Sequence, residues 1–136
     1  MIDALVFPDT KVALLELIDG VTHMGETVRA VTWLQAGEYG APAGPYPVAH
    51  IQGRPGGTTG FVDRVDRRLI EVYAPGELAL DVLESIVASV CGLGIETPSG
   101  YLDKIEVDEN PEDVPYQSDT LNKAAATVLV TTRPIN

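Results

Sequence analysis

The sequence predicts an α+β fold, an antiparallel β-sheet of about four to five strands with two helices packed on one face. Three observations predict it. Apolar residues recur at helical spacing in two segments, 9–20 and 76–91. Runs rich in β-formers occupy 47–52, 62–74, 101–109 and 123–133. The connections are mostly of hairpin length, and the helices fall before and within the run of strands. The chain has 136 residues, 45% hydrophobic and 21% charged, which suits one globular domain spanning 1–136.

The first helix starts at Asp9 or Thr10, which supply N-cap oxygens after Pro8, and stops at Gly20. Val12, Leu15 and Ile18, with Leu14, form its apolar stripe. At about ten residues it is too short to stand alone and must dock. An extended piece follows at Val21 to His23, and Val28 to Leu34 reads as a further strand. QAGEYGAPAGPYP, at 35–47, reads as a loop. Pro47 to Gln52 is a strand. GRPGGTTG, at 53–60, is a flexible connector to the next strand and makes the tip of a hairpin.

The segment from Val62 to Ala74 alternates. Arg68, Ile70, Val72 and Ala74 share one face, and Arg67, Leu69, Glu71 and Tyr73 the other. Both faces are partly apolar, so the second face is expected to be covered by chain or by a neighbouring subunit. The stronger helix spans Gly76 to Cys91, with Ala79, Val82, Leu83, Ile86, Val87 and Val90 as its stripe and Gly92 and Gly94 ending it. Tyr101 to Glu109 and Lys123 to Arg133 are the last strands. NPEDVPYQSD, at 110–119, reads as a loop or extended arm.

Nine Lys plus Arg stand against twenty Asp plus Glu, a net charge of −11. Such a surface repels DNA, whose affinity for proteins comes chiefly from cations neutralising phosphates, and it repels anionic membranes. Acidity also serves solubility alone. No apolar run approaches the roughly 18 residues of a membrane span. The start, MIDALVFPDT, has no basic region, so no secretory signal is expected and the protein is expected to be made in a cytoplasm.

Catalytic and metal motifs do not emerge. Cys91 belongs to an apolar pattern and reads as an inert thiol, and His23 and His50 have no partner at a telling spacing. DENPED, at 108–113, lacks the glycine and ligand spacing of a calcium loop. GRPGGTTG lacks the Gly-Lys-Ser/Thr ending of a phosphate loop and precedes a strand. No enzyme activity, cofactor or metal is expected.

Charge segregation is the remaining signal. Arg54, Arg64, Arg67 and Arg68 form the one basic cluster, interleaved with Asp63, Asp66 and Glu71. From Asp103 to Asp119 seven acids, among them Asp108, Glu109, Glu112 and Asp113, face one lysine. Two readings stand: ion pairs within the chain, or contacts between copies in a head-to-tail ring. Glu71 and Tyr73, on the Arg67 face, join this candidate subunit interface. With His50 they are also the one trio that would suit a ligand-binding domain or small enzyme.

The order of motifs resembles a known family. FPD at 7–9 opens the helix, and THMG at 22–25 and PVAHIQGRPGG at 47–57 follow. DRVDRRLIEVYA at 63–74, the striped helix and AATVLVTTR at 125–133 complete the series. Together they resemble the tail terminator (head-to-tail connector) proteins of siphophages, especially those infecting actinobacteria. The resemblance implies a virion protein assembled in the host cytoplasm as a six-fold ring at the head–tail junction. The ring would stop tail tube polymerisation and join the head connector. Its implied partners are copies of itself, the tail tube protein and the connector or stopper protein, with DNA passing through the lumen without specific binding. A stopper, an adaptor or a tail tube subunit is the alternative within the same machine.

Overall fold

The structure, a computed structural model, describes residues 6–34, 43–60, 62–118 and 120–135. Helix α1 spans Thr10–Ile18, and Asp9 caps it by accepting hydrogen bonds from the backbone N–H groups of Lys11 and Val12. Gly20, at φ +76°, turns the chain into a small hairpin of β1 (Thr22–His23) and β2 (Glu26–Thr27). The main sheet comprises β3 (Arg29–Val31), β4 (Val48–Thr59), β5 (Arg64–Ala74), β6 (Gly92–Thr97), β7 (Gly100–Val114) and β8 (Asn122–Thr132). Helix α2, Leu78–Val90, lies between β5 and β6 in the chain.

The sheet order is β3-β4-β5-β8-β7-β6, antiparallel except for the parallel β3–β4 pair. Six strands exceed the expected four to five. The additional strand is β6, in the stretch read as a helix terminus. It pairs with the start of β7, Ile95 opposite Leu102. Its short apolar content gives no alternation from which to recognise it.

Both helices cover one face. Ile70, Val72 and Ala74 of β5, with Ala124, Ala126, Val128 and Val130 of β8, meet a stripe of Ala79, Val82, Leu83, Ile86, Val87 and Val90 on α2. Burying each larger aliphatic side chain stabilises by roughly 1.5–3 kcal/mol, most of which conformational entropy offsets. All six predicted stripe positions of α2 are buried. In α1 the buried set is Thr10, Ala13, Leu14 and Ile18, while Val12 is 38% exposed and Leu15 half-buried. The expected stripe is therefore rotated. Leu14 and Ile18, four apart, with Ala13 form the docking edge, and Asp19 ends the helix by accepting the Ala30 N–H.

Three further expectations change. GRPGGTTG is not a flexible connector, because β4 continues through Thr59 with a bulge between Arg54 and Thr58. Its glycines serve close approach. A Cβ on Gly57, at φ +84°, would lie 2.2 Å from the carbonyl oxygen of Val65. The acidic arm is not a loop up to Val114, since β7 runs on to that residue. Pro111 is tolerated because β6 reaches only residues 100–105, leaving the rest of β7 as an edge strand. Cys91 is half-buried just after α2 rather than within its stripe. Of the loop at 35–47, residues 35–42 lie outside the described residues, and 43–47 form no regular element.

Leu83 is fully buried, so Leu83→Ala is expected to lose about 2–5 kcal/mol of unfolding free energy, and Leu83→Asp to abolish folding. Val12→Ala is expected to change stability by less than about 0.5 kcal/mol. Urea denaturation of the three variants checks both helix placements at once. An intact Leu83→Asp variant would refute α2 packing on the sheet.

Candidate interaction surface

Alternation sends half of each central strand to the face opposite the helices. Register aligns the side chains there in rows across β4, β5, β8 and β7. One row is His50, Glu71, Ala125 and Glu112; the next is Gln52, Leu69, Thr127 and Glu109. A third is Arg54, Arg67, Leu129 and Glu106, and Val48, Tyr73, Lys123 and Val114 make the fourth. Among the described residues no helix or strand lies over this outer face. Near Tyr73 it is capped by Tyr116, whose ring meets the Tyr73 ring edge-on at 5.4 Å.

Arg54 and Arg67 lie directly opposite one another, an unfavourable pairing of like charges. The backbone of β7 resolves it. A register shift between Val107 and Glu109 inserts one extra residue opposite β8, so consecutive acids both reach the outer face. Arg67 binds Asp108 through Nε at 2.9 Å and Nη2 at 2.8 Å. Arg54 binds Glu109 at 3.2 Å, and Glu109 also accepts the Thr127 hydroxyl at 2.5 Å. The arginines and the acidic arm thus meet within a single chain. Among the described residues Glu112 and Asp113 make no ion pair and stand exposed.

The basic cluster is split between two faces. Arg68 points to the helix side, where its Nε donates to the Thr10 hydroxyl at 2.7 Å. That hydroxyl in turn donates to Asp66 at 2.8 Å, and Asp66 also pairs with Arg64 and Arg68 at 2.9 and 3.4 Å. Asp66 is only 8% exposed and lies at the first turn of α1, where the helix dipole favours a negative charge. Arg64 extends over the Phe7 ring at 5.7 Å. This network joins α1 to β5 rather than facing outward.

His50, Glu71 and Tyr73 do share the outer face, as alternation predicts, yet Glu71 and Tyr73 are engaged. Glu71 accepts from Gln52 and pairs with Lys123 at 2.6 Å. Burial opposes charge on Lys123, but the hydrogen bond and attraction to Glu71 outweigh it and raise its pKa. Burial raises the Tyr73 pKa, and Glu71 adds to the effect. Burial likewise pushes up the Cys91 thiol, helped by Glu106, which opposes thiolate formation. Among the described residues no group of three His, Cys, Asp or Glu side chains is placed to hold a metal ion, and no helix is long and apolar enough to cross a membrane.

Two features were not legible in the sequence. An open groove of about 370 Å³ lies where β5, β8 and the end of β7 meet. Leu69, Val114 and Ala125 line it along with Arg54, Glu109 and Glu112. Its lining comes from distant segments, so no local motif marks it. The second is His23, 5% exposed, whose Nδ1 lies 2.8 Å from the Ser85 hydroxyl of α2 while Nε2 is buried without a partner. Burial lowers the His23 pKa below its ordinary 6.5.

Asp66→Ala is expected to cost about 3–5 kcal/mol, because it strands a largely buried arginine. Asp108→Ala, in a half-exposed pair, is expected to cost less than about 1 kcal/mol. Urea titration of both variants checks the ranking, and equal losses would contradict it. For His23 the unfolded state binds the proton more tightly than the native state. Its contribution is therefore complete above the ordinary pKa of 6.5 and is lost as pH falls from there toward the lowered native value. Between pH 7.5 and 5.5 the melting temperature of the wild type is expected to fall more than that of His23→Gln. Parallel curves would show that His23 is not held neutral. No protein-family model and no curated protein matches the chain.

Proposed function

We propose that this chain is a structural virion subunit, a tail terminator that assembles as a ring at the top of a siphophage tail tube. It ends tube polymerisation there and joins the tail to the head connector. The observation that carries this reading is the outer sheet face. Six strands have helices on one side only, and the other side presents Leu69, Leu129 and Ala125 among its charges with no described element above them. A surface so partly apolar is suited to burial against a neighbouring protein of the tail or connector. The motif order at 7–9, 22–25, 47–57, 63–74 and 125–133 supports the same family, whose resemblance implies helices on one side of a sheet.

Charge supports a conduit role. At −11 per subunit, a ring of several copies presents a strongly negative assembly. DNA sliding past such a wall is not trapped, because few cations are free to neutralise its phosphates.

Labelling the protein in particles and imaging them by cryo-electron microscopy tests the proposal. A single ring at the head–tail junction is expected. Labels repeated along the tail would identify a tube subunit instead, and their absence from the junction would refute the terminator role. Native mass measurement of the purified protein adds the copy number.

A further inference from the structure

We propose that the groove on the outer face binds a basic, apolar-tipped segment of a different protein rather than a second copy of this chain. The inference goes beyond the ring reading and does not need it, since the groove belongs to the isolated subunit.

The floor sets the first requirement. Leu69 of β5, Ala125 of β8 and Val114 at the end of β7 form an apolar surface in an open concavity of about 370 Å³. That volume suits one or two aliphatic side chains rather than a packed helix. The rim sets the second. Glu109 and Glu112 border the groove, with Arg54 as the only cation among its lining residues. Arg54 is already bound to Glu109 at 3.2 Å. Glu112 has no counter-charge among the described residues, so the rim keeps an uncompensated negative charge beside apolar carbon. An occupant must bring both aliphatic groups and cations.

A copy of this chain brings few cations. The sequence has nine. Arg54, Arg64, Arg67, Arg68, Lys104, Lys123 and Arg133 each bind a carboxylate of their own chain. Arg29 donates to the carbonyl oxygens of Ala43 and Gly44. Among the described residues Arg29 and Lys11 thus make no ion pair, and only Lys11, on α1, has neither a carboxylate nor a carbonyl partner for its charged group. Beyond Lys11, a second copy would have to break internal contacts to bring a cation to the rim, and it arrives with its own −11. A partner with free lysines or arginines meets no such obstacle.

Peptide binding to the purified full-length chain, measured by fluorescence anisotropy at 0.15 M salt, tests the inference. The probe is a labelled twelve-residue peptide of alternating Lys and Leu, and the control replaces each Leu with Ser. The Lys–Leu peptide is expected to bind at least tenfold tighter than the control. Glu112→Lys, which breaks no ion pair of the fold, and Ala125→Phe, which fills the floor without changing charge, are each expected to weaken it at least tenfold. Thermal melts confirm that both variants remain folded. Equal binding of the two peptides, or tight binding that neither variant weakens, would overturn the groove assignment. Displacement of the peptide by excess unlabelled chain, with self-association at the same concentration, would show that the groove takes a copy and would overturn it too.

Discussion

The register of β8 between β5 and β7 is the constraint on which the rest of the structure depends. This last strand occupies the middle of the sheet and pairs along its whole length with β5. Its alternation is strict over the central part, with Ala124, Ala126, Val128 and Val130 facing the helices. Large and small residues complement each other there, Ile70 opposite Ala126 and Val72 opposite Ala124. A slip by one residue would place Lys123, Thr127 and Thr131 under the helix and turn the valines outward. The buried stripe of α2 therefore fixes the contents of the far face, though it touches none of them.

The same register meets a strand that does not keep it. Between Leu102 and Glu112 the β7 pairing shifts three times against the regular β8. Each bulge resets which residues face outward and bends the strand. One brings Asp108 and Glu109 together beside Arg67 and Arg54. Another, around Asn110 and Pro111, returns Glu112 to the outer face opposite Ala125. The acidic edge also lacks a continuous row of free backbone groups, so the unpaired part of β7 resists edge-to-edge association.

The contrast between β5 and β7 explains how much could be read from the sequence. In β5 period two holds from Arg67 to Ala74, and both predicted faces match. In α2 a regular stripe identified all six buried positions. Where a bulge or a close backbone approach breaks the period, pattern reading fails: 53–60 looked like a linker and 110–114 like a loop. Gly56, Gly57 and Pro111 are turn-formers by habit, but here they fit at bulges and at an edge. In α1 the stripe was misplaced because Ala13 and Thr10, small and polar, count little in a hydrophobic pattern. Their burial comes from tertiary contacts, above all the Asp66 network. The candidate surface was legible in part. Glu71, Tyr73 and His50 fell on one face as expected, whereas the groove is assembled from four strands and has no local signature.

Segregated charges in a sequence invite an intermolecular explanation, and the geometry here supplies an intramolecular one. Arg67 pairs with Asp108 and Arg54 with Glu109, while Arg64 and Arg68 share Asp66. A ring of such subunits cannot be held chiefly by arginine–carboxylate pairs between copies, because forming each one would require breaking another. In the proposed ring, contacts between copies would then draw on apolar side chains and backbone groups, which do not discriminate by charge. The surplus acids are what remain for discrimination. Since the chain has almost no free cations with which to satisfy them, they repel further copies and DNA alike, and they favour a basic protein. Internal pairing thus makes the outer face selective, through charges left over after folding has used every cation it can reach.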